Sequence, residues 1–82
     1  MQNTCIIKLD SVDKVKSFVN KIATVDGDFV IKSTTGPYVI DAKSIMGIFS
    51  LDLSTELAFG CKDATKDIPE AAIKVIESYI VK

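Results

Sequence analysis

Asp41-Ala42-Lys43-Ser44-Ile45-Met46-Gly47-Ile48-Phe49-Ser50-Leu51-Asp52-Leu53 is the stretch from which the fold is read. It follows a run of strand formers, Tyr38-Val39-Ile40, and inside it Ser44 precedes the apolar residues Ile45, Met46, Ile48 and Phe49. Serine is a favoured N-cap, because its side-chain oxygen accepts a bond from an N–H of the first turn that has no other partner. The pattern predicts a short helix starting near Ser44. Almost every position from Ile45 to Phe49 is apolar, and a helix of one or two turns cannot hide all its faces. Either the segment is deeply buried, or part of it is an exposed apolar patch of the kind that marks a partner site. On the first reading Ile48 and Leu51 enter the core and Phe49 follows them. On the second, some of these apolar side chains stay outside and form a partner surface.

Upstream, Thr4 to Leu9 reads as a first strand, rich in β-branched and apolar residues. Asp10 and Ser11 are both good caps for a following helix, in which Val12, Val15, Phe18, Val19, Ile22 and Val25 recur at helical spacing. That helix is expected to end near Thr24, with Gly27 as its left-handed stop. Phe29 to Ser33 and Tyr38 to Ile40 read as two strands joined by the turn Thr34-Thr35-Gly36-Pro37, a hairpin. Downstream, Leu57 to Cys61 is a fourth strand between two polar loops. Asp67 is expected to cap a third helix with Pro69 inside its first turn. Ile68, Ala72, Ile73, Ile76 and Ile80 make its buried stripe, and Lys82 suits its C-terminal end. The order is β-α-β-β-α-β-α. It implies an α+β, two-layer open-faced sandwich, with three helices on one face of a four-stranded antiparallel sheet.

Eighty-two residues make one domain, spanning 1–82. A net charge of −1 gives no basic footprint for nucleic acid. No apolar run has the length of a membrane span, and Met1-Gln2-Asn3-Thr4 lacks a basic leader segment. A cytoplasmic protein is expected. His, Trp and Arg are all absent, so all ten cations are lysines. Without His, the commonest general acid–base group and metal ligand is missing. Without Arg, there is no bidentate fork for phosphate. No Gly-rich phosphate loop and no nucleophile–base spacing is present, so neither an enzyme nor a cofactor is expected. Cys5 and Cys61 lie far apart in sequence and lack metal spacing. They read as two reduced thiols, or as a redox pair if their strands are neighbours.

Lys43-Ser44-Ile45-Met46-Gly47 with Ser50-Leu51 resembles the segment around the regulatory serine of HPr, the small phosphocarrier of the bacterial sugar phosphotransferase system. The element order of the whole chain is similar to that family's, which implies the sheet order 1-4-2-3. A ferredoxin-like chain begins the same way but has the order 4-1-3-2, and the very short second helix favours the first arrangement. The resemblance implies enzyme I, a serine kinase and transcription regulators as partners, with Ile45, Met46 and Phe49 as the docking patch. It also implies Ser44 as a candidate for regulatory phosphorylation, where a helix N-terminus favours added negative charge and Lys43 adds a screened attraction. As a plain N-cap, Ser44 is explained without any kinase.

The family's phosphate acceptor, a histidine at the start of the first helix, falls on Ser11. Val12, Asp13 and Lys14 stand where the family has a small residue, an Arg and a Pro. A phosphoserine ester is a poor phosphoryl donor, and Asp13 puts negative charge beside an incoming phosphate. Ser11 therefore reads as a helix cap. The function expected is an HPr-like regulatory or interaction module that is not a working histidine phosphocarrier. The alternative is a small binding or self-associating domain, outside the phosphotransferase system, on the same fold.

Overall fold

A computed structural model describes residues 3–81. Their order is β1 (Thr4–Ile7), α1 (Val12–Ile22), β2 (Phe29–Ser33), β3 (Val39–Asp41), α2 (Ile45–Phe49), β4 (Leu57–Cys61) and α3 (Glu70–Ile76), followed by a single 3-10 turn at Glu77–Tyr79. The strands form one antiparallel sheet in the order β1-β4-β2-β3, which is the order the resemblance implies.

Side chains alternate across a pleated sheet, so register decides what each face carries. Cys5 lies opposite Phe59, Phe59 opposite Ile31, and Ile31 opposite Ile40. This row faces the helices. Val15, Phe18 and Ile22 from α1, Ile48 from α2, and Ala72 and Ile76 from α3 close over it, all buried. Phe59 is the hub: the Phe18 ring meets it edge-on at 5.9 Å, and Phe29 stacks on it at 5.4 Å. Such aromatic pairs add about 0.5–1.5 kcal/mol each beyond the area they bury. The alternate rows, Thr4–Gly60–Val30–Asp41 and Ile6–Ala58–Lys32–Val39, lie on the face away from the helices.

The two sheet edges differ. Along β1, the Lys8 N–H donates to the Tyr79 carbonyl at 3.0 Å, and the Val81 N–H donates to the Ile6 carbonyl at 2.9 Å. The C-terminal segment thus covers that edge. The other edge is β3, only three residues long, which limits its exposed ladder.

Several expectations are corrected at element ends. β1 stops at Ile7, and β3 runs Val39–Asp41, one residue later than expected. α1 ends at Ile22, and the Thr24 and Val25 N–H groups tighten the exit by bonding three residues back. Gly27 is the described residue with positive φ, +121°, but it lies in the turn into β2 and does not stop the helix. Val12 shares the helical spacing of Val15, Phe18 and Ile22 but not their burial: at the first helical position it is 54% exposed. Asp67 does not cap α3. Pro69 occupies the N-cap position, extended and without a side-chain bond, because a residue preceding proline avoids helical geometry and Ile68 cannot start the helix. The stripe ends differently too: Ile80 bridges Ile7, and Tyr79 is buried, its hydroxyl 2.6 Å from Ser17 Oγ. Lys82 lies outside the described residues. Among them, no helix is long and apolar enough to cross a membrane.

Candidate functional site

Ser44 sets the geometry of α2. Its N–H donates to the Asp41 carbonyl at 3.0 Å, which turns the chain out of β3. Its Oγ then accepts the Gly47 N–H at 3.1 Å, the N-cap bond expected of it. Glycine at 47 keeps the turn tight. A Cβ there would stand 3.1 Å from Ser44 Oγ, close enough to press on the capping hydroxyl, and in ordinary contact with Ile40 Cβ at 3.5 Å. At the other end Ser50 Oγ donates back to the Gly47 carbonyl.

The apolar run is divided between the core and the surface. Ile48 is fully buried and Leu51 is 8% exposed, so these two anchor the segment in the core. Met46 is 77% exposed and Phe49 36%, while Ile45 is half-buried against the core. The surface expected from Ile45, Met46 and Phe49 therefore centres on Met46 and Phe49, with Ile45 at its base.

Lys43 does not serve Ser44 as a counter-charge. Its Nζ donates to the Val25 carbonyl at 2.8 Å and lies 5.8 Å from the centre of the Phe29 ring. The expected attraction for a phosphate at Ser44 is thus already committed to tying α2's approach to the exit of α1.

Ser11 sits where the cap reading puts it. Its Oγ accepts the Lys14 N–H at 3.2 Å. The Lys14 ammonium pairs with Asp10 at 2.9 Å. That hydrogen bond, then the charge itself, holds the Asp10 carboxyl below its ordinary range. Asp13 lies in the first turn. A nucleophilic hydroxyl needs a base within hydrogen-bond reach, and Ser11 makes its one contact with a backbone N–H. The start of α1 has the polar chemistry of a capped helix, and among the described residues the Ser11 hydroxyl has no side-chain hydrogen-bond partner.

The two thiols occupy neighbouring strands, as the redox reading required, but they do not face one another. Cys5 is opposite Phe59, so Cys61 is two residues along on β4. Both are free. Burial pushes the Cys5 thiol up from its ordinary value. Cys61 is half-buried, with its Sγ 3.5 Å from the Asp67 carbonyl, at the wall of a cavity of about 660 Å³ shared with Phe29, Lys62, Lys66 and Pro69. Among the described residues, no three His, Cys, Asp or Glu side chains cluster to hold a metal ion.

Sequence reasoning missed two features. Val12 carries an exposed apolar side chain at the start of α1; the position directly after a serine cap was the signal that it begins a turn with open space around it. The cavity beside Cys61 is built from segments distant in sequence and left no local pattern. Comparisons with protein-family models, with curated proteins and with solved structures each return no match.

Proposed function

We propose that this chain is an HPr-like interaction module of the bacterial sugar phosphotransferase system that docks on partners through α2 and carries no phosphoryl group of its own. One observation carries the reading: Met46 and Phe49 project from a helix whose neighbouring side chain, Ile48, is fully buried. A short helix anchored on one face and apolar on the other is a presented surface, and it lies in the segment that resembles the family's docking segment. The sheet order and the element order agree with that resemblance. Enzyme I, the serine kinase and regulators of the system are the partner classes it implies. The loss of carrier chemistry rests on Ser11, a capping hydroxyl without a base, in a chain with neither His nor Arg. Ser44 is the candidate for regulatory phosphorylation. A phosphate there would exchange its capping bond to Gly47 for charge at the helix start.

Calorimetric titration with enzyme I tests the docking surface. Binding is expected, weakened at least about tenfold, or 1.4 kcal/mol, by Met46→Asp, and unaffected by Ser11→Ala. Binding that ignores Met46→Asp, or no binding at all, contradicts the proposal. Treatment with the serine kinase is expected to add one phosphate, absent from Ser44→Ala; labelling that survives that substitution removes Ser44 from the scheme.

A further inference from the structure

Among the described residues, no helix or strand packs on the face of the sheet turned away from the helices. Its centre is apolar and low: Val30, Ala58 and Gly60 sit side by side on β2 and β4. Val30 is only 9% exposed, yet it stands outside the core cluster. Ile6 and Val39 lie on the same face at opposite edges, 36% and 55% exposed. Val30 lines an open groove together with Asp28, Lys32, Asp41 and Lys62, so a partner's apolar side chains can seat between these charged groups.

The charges here are unusual in their arrangement. Lys32 and Asp41 lie on adjacent strands, one on each of the two rows that hold the apolar centre, because Val30 pairs with Asp41 and Lys32 pairs with Val39. They are diagonal neighbours, yet they form no ion pair. Among the described residues, Asp10–Lys14 is the one ion pair found. One Asp41 oxygen accepts the Lys43 N–H, and its other oxygen has no hydrogen-bond donor among the contacts found. The cation and the anion are therefore both available at the rim of an apolar centre.

We infer that this face is the contact surface between two copies of the chain, related by a two-fold axis lying in the interface. Such an axis makes a contact isologous: a residue that meets a second residue on the partner is met by that same residue in return. An axis passing near Val30 brings Lys32 of each copy to Asp41 of the other, closing two ion pairs around the apolar centre. A second copy offers each of these rim charges its opposite, whereas an uncharged apolar surface offers neither. That self-complementarity selects a second copy as the occupant. The molecule measures 27 × 24 × 24 Å along its principal axes, so one face offers about 600 Å², less than the roughly 800 Å² per partner of a standard stable interface. The association is accordingly weak and concentration-dependent. It uses the sheet and leaves α2 free, so it stands independently of the docking function proposed above.

Sedimentation equilibrium from micromolar to millimolar protein tests it. A monomer–dimer equilibrium is expected for the native chain. Lys32→Asp and Asp41→Lys are each expected to shift it at least tenfold towards monomer, since each sets like charges against each other. The double variant carrying both changes restores opposite charges and is expected to recover the dimer. Met46→Asp is expected to leave the equilibrium unchanged. A native chain that stays monomeric overturns the inference, and so does a dimer insensitive to both single reversals. A double variant that fails to recover association, while its circular dichroism matches the native chain, overturns the proposed pairing of charges.

Discussion

At the scale of single residues, environment divides groups that the sequence makes equal. The two cysteines show it. Cys5 is closed in by the core and is 6% exposed, whereas Cys61 is half-buried beside a cavity. Thiolate is the reactive form, and desolvation raises the Cys5 pKa above its ordinary 9.0. One thiol is expected to react promptly with an aromatic disulfide reagent in the native protein, and the second only on unfolding. Two equal rates, read spectrophotometrically, would contradict this placement. The pH consequence has a definite sign. Because the folded pKa is the higher one, the neutral thiol's contribution is intact below 9.0. It is lost as pH rises through the folded value, where the unfolded chain has already released its proton. Cys5→Ala is expected to remove that part of the alkaline fall in the urea midpoint. Position in a strand was legible for both cysteines; depth was not, since depth depends on which helix closes over each strand end.

Elements were legible where a local rule acted alone. Ser11 and Ser44 were read as caps, and each accepts a backbone N–H three residues on. Element ends were misread where two rules competed. At α3, the proline rule displaced the aspartate cap. At α1, the glycine signal fell in the turn beyond the helix. The loops around β4 carried a signal left unread: Asp52 and Asp63 each sit two residues before a hydroxyl residue. Asp52 Oδ1 accepts the Ser54 N–H at 3.0 Å and its hydroxyl at 2.6 Å, and Asp63 Oδ1 holds Thr65 in the same way at the same distances. Side-chain bonds of this type give a turn its own local template. These hydroxyl bonds, then the backbone ones, lower both carboxyl pKa values from 3.8. A depressed folded pKa gives stability that is present above 3.8 and lost as pH falls through the folded value. The double variant Asp52→Asn, Asp63→Asn keeps the accepting oxygens but cannot titrate. Its urea midpoint is expected to fall less steeply with acid than that of the native protein. An unchanged slope would mean that these turns contribute nothing to acid sensitivity.

At the scale of the molecule, the sheet order followed from the element order together with the resemblance, since a very short second helix between β3 and β4 suits β1-β4-β2-β3. The candidate site was legible at its core, Ser44 with Met46 and Phe49, because anchoring by Ile48 leaves the opposite side of a short helix outward. The fate of Lys43 was not legible, because its partner, the Val25 carbonyl, belongs to a turn 18 residues away. The function proposed above takes the whole as a platform: a core closed by helices on one side of the sheet, a short helix with Met46 and Phe49 exposed, and a serine, Ser11, that caps its own helix. Intact mass after incubation with enzyme I and phosphoenolpyruvate tests this claim most directly. The mass is expected to stay that of the unmodified chain. A stoichiometric, acid-labile phosphoryl adduct that passes to a downstream acceptor would contradict it.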